Sequence, residues 1–193
     1  TVRAEQFDVS RFSESVFTAF DDEHLAEEGI LLDDILARQP LRVVMDSGAR
    51  MPLKARLLET KSPILWVVSD KVEFNSEQAI ISELDYVEVL TLPSMSSAER
   101  LRKVLECLAS MECNEVLVEA GSVLAGSFVE SGLWDELVVY MAPKLLGSHA
   151  RPLLNLPIDE MVEAESLCLK DIRQLGNDIR LSYHSANINA SES

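Results

Sequence analysis

The feature that most restricts the fold of this chain is a series of short, continuously apolar segments that begins at residue 41. Strands that are buried on both faces have this composition, because neither face needs polar side chains. Their alternation with helical patterns favours an α/β fold with a mixed, mostly parallel sheet flanked by helices. The predicted strands, in chain order, are LRVVMD (41–46), ILWVVSD (64–70), YVEVLTL (86–92), NEVLVEAG (114–121) and DELVVYMAP (135–143).

Two helices and a hairpin complete this pattern, while residues 47–58 read as a loop. One helix follows Ser96 or Ser97, where a serine in the N-cap position precedes apolar residues at helical spacing. The other helix follows Gly121 and stops at Gly132, since glycine is the usual residue just after a helix. Near the end of the chain, polar and apolar residues alternate on both sides of residues 175–178, which is typical of an antiparallel hairpin.

Length and charge limit the class of protein. With 193 residues the chain predicts a single domain, placed at residues 1–185, followed by a polar tail at 186–193. Its net charge of −16 disfavours nucleic acids and anionic membranes, since binding to nucleic acids depends mostly on Lys and Arg. No apolar run is long enough to cross a bilayer, and the first residues do not resemble a secretory signal. Residues 5–39 are acidic, with a short helix expected near 22–38.

The cysteines and histidines do not form a recognisable site in the sequence. Three cysteines, an odd number, do not suggest a disulfide framework, and Cys107 falls in an apolar helical pattern that places it in the core. The three histidines are scattered, and no CxxC or HxxxH spacing is present. The sequence therefore predicts no metal site.

Two strand ends carry residues that suit a ligand, because ligands of open α/β sheets bind beyond the carboxyl ends of the strands. After the fourth strand, Gly121 precedes a helix whose free N–H groups and dipole favour a phosphate, and Gly126 allows close packing one turn later. A tightly packed turn without a ligand explains the same glycines. Glu119 either holds ligand hydroxyls or caps the helix.

The other candidate is the end of the first strand. Ser47 is suited to a phosphate or a ribose there, but Asp-Ser also begins many ordinary turns, and Arg50 adds a positive charge that is equally typical of a surface. No nucleophile motif and no acid–base pair of carboxylates stands out. The residues alone therefore indicate an α/β domain and leave two readings of its strand ends open, a site for a phosphorylated cofactor and ordinary packed turns.

Three segments together carry a resemblance to a known family: PLRVVMDS at 40–47 with Arg50 and Pro52, VEAGSVLAG at 118–126 with the following GLWDELVVYMAPKLLG, and LKDIRQLGNDIRLSY near the end. They closely resemble the reductase domain of the bacterial riboflavin-biosynthesis bifunctional deaminase–reductase. The similarity extends from about residue 40 to 184, with a short match at residues 1–3. It implies that residues 5–39 are a variable insertion and that the chain begins inside the reductase domain, with a deaminase domain upstream in the parent protein.

The resemblance implies a dihydrofolate-reductase-like fold and a cytoplasmic enzyme that pairs as a homodimer. The implied reaction is the NADPH-dependent reduction of 5-amino-6-(5-phosphoribosylamino)uracil, a small phosphorylated pyrimidine, to its ribitylamino product. The alternative is a truncated, non-catalytic fragment that dimerises or binds nucleotides.

Site residues follow from the same resemblance, although no catalytic residue is assigned. Glu119 and Arg3 correspond to substrate-binding positions, and the fork of an arginine suits a ribose phosphate. Ser47 corresponds to a position that contacts NADP, and Arg50 is placed near the cofactor's 2′-phosphate. The NADP-binding turn corresponds to Gly121, Ser122, Val123, Leu124, Ala125, Gly126 and Ser127.

Overall fold

The computed structural model describes the strand at residues 2–5 and residues 40–185. The chain divides into two compact units, Thr1–Glu119 and Ala120–Ser193. The helix expected near 22–38 and the tail at 186–193 lie outside the described residues. The placement of a single domain at residues 1–185 stays a prediction.

The first unit is built on a five-stranded mixed sheet in which β2, β3 and β4 are parallel neighbours. Strand β1 runs antiparallel to both β2 and β5, and it lies between them. The strand order is β4-β3-β2-β1-β5. The strands are β1 (Val2–Glu5), β2 (Leu41–Met45), β3 (Ile64–Ser69), β4 (Val87–Leu92) and β5 (Glu115–Val118).

The core of the first unit lies around β3, whose residues 64–68 are all buried, as the continuous apolar run predicts. Trp66 has no exposed surface, and its ring stacks on that of Phe74 with centroids 5.1 Å apart. The described residues of this unit include three helices: α1 (Arg56–Glu59), α2 (Ser76–Ser82) and α3 (Ser97–Ser110). Helix α1 overlaps the segment expected to be a loop.

Helix α3 begins where the sequence predicts. Ser96 is its N-cap, and Ser96 and Glu99 form a reciprocal capping box. These hydrogen bonds from Ser96 lower the pKa of Glu99. The predicted second helix is also present in the other unit, as α4 (Ser122–Glu130), and Gly132 follows it with a φ of 62°.

The second unit contains α4 and a three-stranded antiparallel sheet of order β6-β8-β7. Its strands are β6 (Glu136–Met141), β7 (Leu167–Leu175) and β8 (Asp178–Ser185). Strands β7 and β8 form the predicted hairpin, in which Leu175 pairs with Asp178 and Gly176 takes a φ of 62° in the turn between them. The α/β fold with a C-terminal antiparallel hairpin is thus confirmed. Strand β6 extends this hairpin through its pairing with β8.

One face of the three-stranded sheet is apolar. Side chains at directly opposed positions of antiparallel strands share a face, and the register places three apolar side chains of each strand on one face, together with the polar Gln174 and Ser185. Several of them are strongly exposed in the chain, with 57% for Ile172, 50% for Met141 and 48% for Leu169. We call this group the apolar face: Leu137, Val139, Met141, Leu167, Leu169, Ile172, Ile179, Leu181 and Tyr183.

No helix in the described part of the chain is long and apolar enough to cross a membrane. Within the same residues, no three His, Cys, Asp or Glu side chains are grouped so that they could hold a metal ion. The absence of a metal site from the whole chain stays a prediction.

Candidate functional site

Two strand ends with candidate residues lie at one edge of the first unit's sheet. Because β2 and β5 both run antiparallel to β1, they are parallel to each other, and their carboxyl ends point the same way. Val43 and Val118 both pair with Val2, so these strands lie two spacings apart, about 10 Å. The turn after β2 and Glu119 after β5 therefore occupy the same edge.

The turn after β2 is held by a buried carboxylate. Asp46 donates its backbone N–H to the carbonyl of Val67 at 2.9 Å, and its own carbonyl accepts from the N–H of Ala49 at 3.0 Å. Its Oδ2 accepts from the backbone N–H of Met51 at 2.8 Å and from Nε1 of Trp66 at 3.3 Å. The aspartate thus connects both ends of the turn to the core strand β3.

Ser47 and Arg50 project from this turn, and both are exposed. The carbonyl of Ser47 accepts from the N–H of Ser69 at 3.3 Å, which ties the turn to the end of β3. Nε of Arg50 lies 3.7 Å from Oδ1 of Asp46. An open depression of about 380 Å³ lies beside the turn and is lined by Val44, Met45, Asp46, Arg50, Met51, Ala55 and Leu57.

In the second unit, the start of α4 has no side-chain cap. Its N-cap residue is Gly121, with extended backbone at φ −71° and ψ 166° and no capping hydrogen bond from a side chain. The first N–H groups of a helix have no partner within the helix, so this end can accept an anion. Ser127 has less freedom than the sequence suggests, because its hydroxyl donates to the carbonyl of Val123 at 3.0 Å.

Gly121 and Gly126 have different surroundings. A Cβ added at Gly121 would meet no atom of the described residues within 4 Å. A Cβ at Gly126 would lie 2.2 Å from the carbonyl oxygen of Asn155, and the N–H of Asn155 donates to the carbonyl of Ser122 at 3.0 Å. Close packing therefore accounts for Gly126, whereas Gly121 is left open for a ligand to approach its backbone.

The two predicted substrate residues belong to the first unit. Arg3 lies on β1, where its Cα is opposite Arg42 on one side and Leu117 on the other. Glu119 is exposed and directly follows β5. The structure thus brings Ser47 and Arg50 together in one turn, and it places Gly121 and Ser122–Ser127 at the N-cap and first turns of one helix.

Sequence reasoning named Asp46 only as the end of a strand and did not identify what it holds. The one available signal was a carboxylate directly after a buried strand, which is costly to bury without partners. Asn155 was missed entirely, because nothing in a polar residue of a loop indicates that its backbone crosses a helix at a glycine.

A family model described as the RibD C-terminal domain matches residues 9–181 of the chain. The chain belongs to the RibD C-terminal domain family. The family match includes the turn after β2 as well as helix α4, so both candidate strand ends lie within it. The fold is accordingly the dihydrofolate-reductase-like fold of RibD reductase domains.

Individual relatives agree with the family assignment. Riboflavin biosynthesis protein RibD of Haemophilus influenzae is 35% identical over 147 residues, which are 76% of this chain and 37% of that protein. The 5-amino-6-(5-phosphoribosylamino)uracil reductase of Buchnera aphidicola is 35% identical over 149 residues, 75% of this chain and 67% of that protein. A solved structure of Acinetobacter baumannii RibD has a TM-score of 0.61 at 30% identity, covering 77% of this chain and 38% of that one. The chain thus spans less than two fifths of these RibD proteins.

Proposed function

We propose that this chain carries a reductase activity of riboflavin biosynthesis, the NADPH-dependent reduction of 5-amino-6-(5-phosphoribosylamino)uracil to 5-amino-6-(5-phosphoribitylamino)uracil. The observation that carries the proposal is the uncapped start of α4 with open space at Gly121. A phosphate-bearing cofactor needs this combination of free N–H donors and an unobstructed backbone. The reductase from Buchnera aphidicola, which is similar to this chain over 149 residues, supports the choice of reaction.

Each unit carries residues that suit one part of a phosphorylated dinucleotide. The first turn of α4 would hold the pyrophosphate through backbone N–H groups, and Ser47 and Arg50 would contact the ribose and its 2′-phosphate. When bound, the nicotinamide supplies a hydride to the sugar carbon that bears the amine. The chain's own part is to bind and orient the two reactants.

The substrate would be held by Arg3 and Glu119. A guanidinium donates two parallel hydrogen bonds to a phosphate, and a carboxylate accepts from sugar hydroxyls. These assignments follow from the family resemblance, and the position of Glu119 at the same sheet edge as the Asp46 turn supports its own assignment.

The homodimer belongs to the same proposal. The exposed apolar face includes side chains of β6, which lies in the GLWDELVVYMAPKLLG segment that carries part of the family resemblance. Proteins that remain monomeric rarely expose contiguous apolar patches larger than a few hundred Å², so a second copy of the chain is the expected cover. A cytoplasmic location and a deaminase domain in the parent protein are also inferred from the family alone.

Calorimetric titration of the chain with NADPH and with NADH tests the cofactor assignment. We expect NADPH to bind more tightly, and we expect Gly121→Val to weaken NADPH binding by at least about tenfold, because its branched side chain would fill the space that the ligand needs. Gly147→Val is the matched control, since Gly147 also has open space around it and lies outside α4, in the connection that follows β6. Equal affinity in both variants would contradict the placement of the cofactor.

Turnover is the second measurement. Substrate-dependent loss of NADPH absorbance is expected for the reductase. A chain that binds NADPH but never oxidises it with the substrate would favour the non-catalytic fragment over the enzyme.

A further inference from the structure

The two oxygens of the Asp46 carboxylate face different partners. Oδ2 accepts from the N–H of Met51 at 2.8 Å and from Nε1 of Trp66 at 3.3 Å. Oδ1 faces Nε of Arg50 at 3.7 Å. One oxygen therefore accepts the hydrogen bonds that fix the turn, and the other forms a longer ion pair with the arginine that the turn carries.

The turn itself needs only a neutral acceptor at this position. An asparagine amide oxygen in place of Oδ2 would accept the same two hydrogen bonds from Met51 and Trp66, although each would be weaker than a bond to a carboxylate. A carboxylate is more costly to bury, and the side chain of Asp46 is only 9% exposed. What the negative charge adds is the interaction of Oδ1 with Arg50.

Arg50 is a side chain that would otherwise move freely. It is 86% exposed, and the contact with Asp46 is its only ion pair among the described residues. An unrestrained arginine has many rotamers, and a ligand that fixes one of them has to remove that conformational entropy. Because the contact uses Nε, both Nη atoms remain available to donate hydrogen bonds.

We propose that Asp46 is a positioning residue that orients the Arg50 guanidinium for the 2′-phosphate of the dinucleotide, and thereby sets the preference for NADPH over NADH. The inference rests on the proposed function, and it adds a residue to which the family resemblance assigns no role. Asp46 does not touch the cofactor; it acts through Arg50.

Neutralising Asp46 should change the affinity for the 2′-phosphate in opposite directions, depending on whether Asp46 acts by positioning Arg50 or only through its charge. Asp46 partly cancels the positive charge of Arg50, so its neutralisation alone would strengthen the attraction to a dianionic phosphate. Loss of orientation would weaken phosphate binding instead. Whether the affinity for the phosphate falls or rises in the neutralised variant therefore decides between the two effects.

The test uses Asp46→Asn in the full chain, with the dissociation constants for NADPH and NADH measured by calorimetry. We expect the ratio of NADH to NADPH dissociation constants to fall by about threefold to tenfold, while NADH affinity stays within about twofold of wild type. Asp70→Asn is the matched control, because Asp70 is an exposed aspartate just after β3 and its substitution removes the same charge.

A double-mutant cycle tests whether Asp46 affects the cofactor preference through Arg50 or independently of it. In an Arg50→Gln background, Asp46→Asn should change the ratio no further, because the group that it positions is already gone. Arg50→Lys keeps the charge but lacks the Nε donor, and it should also lower the ratio. Since Arg50 is exposed, both Arg50 variants are expected to fold.

Two readouts do not involve the cofactor. The melting temperature of Asp46→Asn should stay within a few degrees of wild type, whereas Asp46→Ala should lower it because the turn loses its acceptor. In the free protein, the ¹⁵N resonance of Arg50 Nε should shift in Asp46→Asn and not in Asp70→Asn.

The outcomes are distinguishable. A wild-type chain without preference for NADPH would refute the assignment of this turn to the 2′-phosphate, and the inference with it, while turnover would still judge the reductase function. A preference that is present in wild type but unchanged or raised in Asp46→Asn would overturn the inference alone. Full preference in Arg50→Lys would do the same, because charge without orientation would then suffice.

Discussion

The two units differ in where their apolar side chains lie. In the first unit such residues form a closed core, with Trp66, Ile64 and Leu65 at most 1% exposed. In the second unit, Phe128 and Val129 are the only buried hydrophobic residues among those described. Its long apolar side chains are mostly exposed, and Leu145 reaches the full exposure of an extended chain.

The difference shows what an apolar run in a sequence does and does not predict. Strands β3 and β6 have similar composition, and both were predicted as strands. Strand β3 has neighbouring strands on both sides and is buried almost throughout, whereas β6 alternates between half-buried and exposed side chains. Composition predicts that the apolar side chains of a strand will be buried, but it does not predict whether residues of the same unit bury them.

Trp66→Ala should give the largest effect, because it removes the centre of the first unit's core. We expect a loss of about 3–5 kcal/mol in the free energy of unfolding, measured with urea. Ile172→Ala, on the exposed apolar face, should cost less than about 1 kcal/mol in the monomer. Similar losses at both positions would contradict the contrast between the units.

Leu169→Lys tests whether a second copy covers the apolar face. A charge buried in an apolar contact is strongly unfavourable, so the dimer dissociation constant should rise by about 30-fold or more in sedimentation experiments. Val138→Lys on the opposite face of the same sheet is the control. Equal weakening by both variants, or none, would place the dimer contact elsewhere.

Gly126→Ala examines the most tightly packed point of the second unit. Alanine normally favours a helix over glycine, but the added Cβ would lie 2.2 Å from the Asn155 carbonyl oxygen. The variant should therefore lose about 1–3 kcal/mol in thermal unfolding. Gly147→Ala, with open space around it, should be nearly neutral, and a stabilised Gly126→Ala would show that Asn155 yields easily.

The reactivity of the cysteine thiols compares the two units at single residues, and it is where we expect the smallest effect. Cys113 is buried, whereas Cys107, predicted to be in the core, is only half-buried, and Cys168 in the second unit is exposed. Burial raises the pKa of Cys107, with an added contribution from the charge of Glu88, and burial also raises the pKa of Cys113. Both thiols are therefore less ionised at neutral pH and become reactive only as the pH rises.

Labelling with a disulfide reagent over a range of pH tests this expectation. Cys168 should react first at neutral pH, and Cys168→Ser should remove the fast phase. The slow phase should accelerate at higher pH, where Cys107 and Cys113 ionise. A fast phase that survives in Cys168→Ser would mean that one of the first unit's thiols is accessible and ionised.

The sequence predicted the features that depend on neighbours along the chain. The N-cap at Ser96, the glycine after α4 and the hairpin turn at residues 175–178 are all confirmed, since each follows from a few adjacent residues. The short helices α1 and α2 were not predicted, because neither is long enough to show a helical period.

Features that join distant residues could not be predicted. The bond between Asp46 and Trp66 spans 20 positions, and no local pattern indicates which donor a strand-end carboxylate will meet. The packing of Gly126 against Asn155 is of the same kind. The strand-end rule supplied Ser47, Glu119 and Gly121 as candidates and the family resemblance gave them roles, but only the three-dimensional structure distinguishes an open glycine from a packed one.

The contact between Asn155 and α4 also affects the entropy of the chain. Residues 142–166 form a long connection between β6 and β7 that contains only one short 3-10 turn, Met161–Glu163. The hydrogen bond from Asn155 to the carbonyl of Ser122 divides this connection into two shorter loops. Opening of either loop is then linked to the first turn of α4. A ligand that orders that turn should therefore slow proteolysis throughout the connection, including at positions that it never touches.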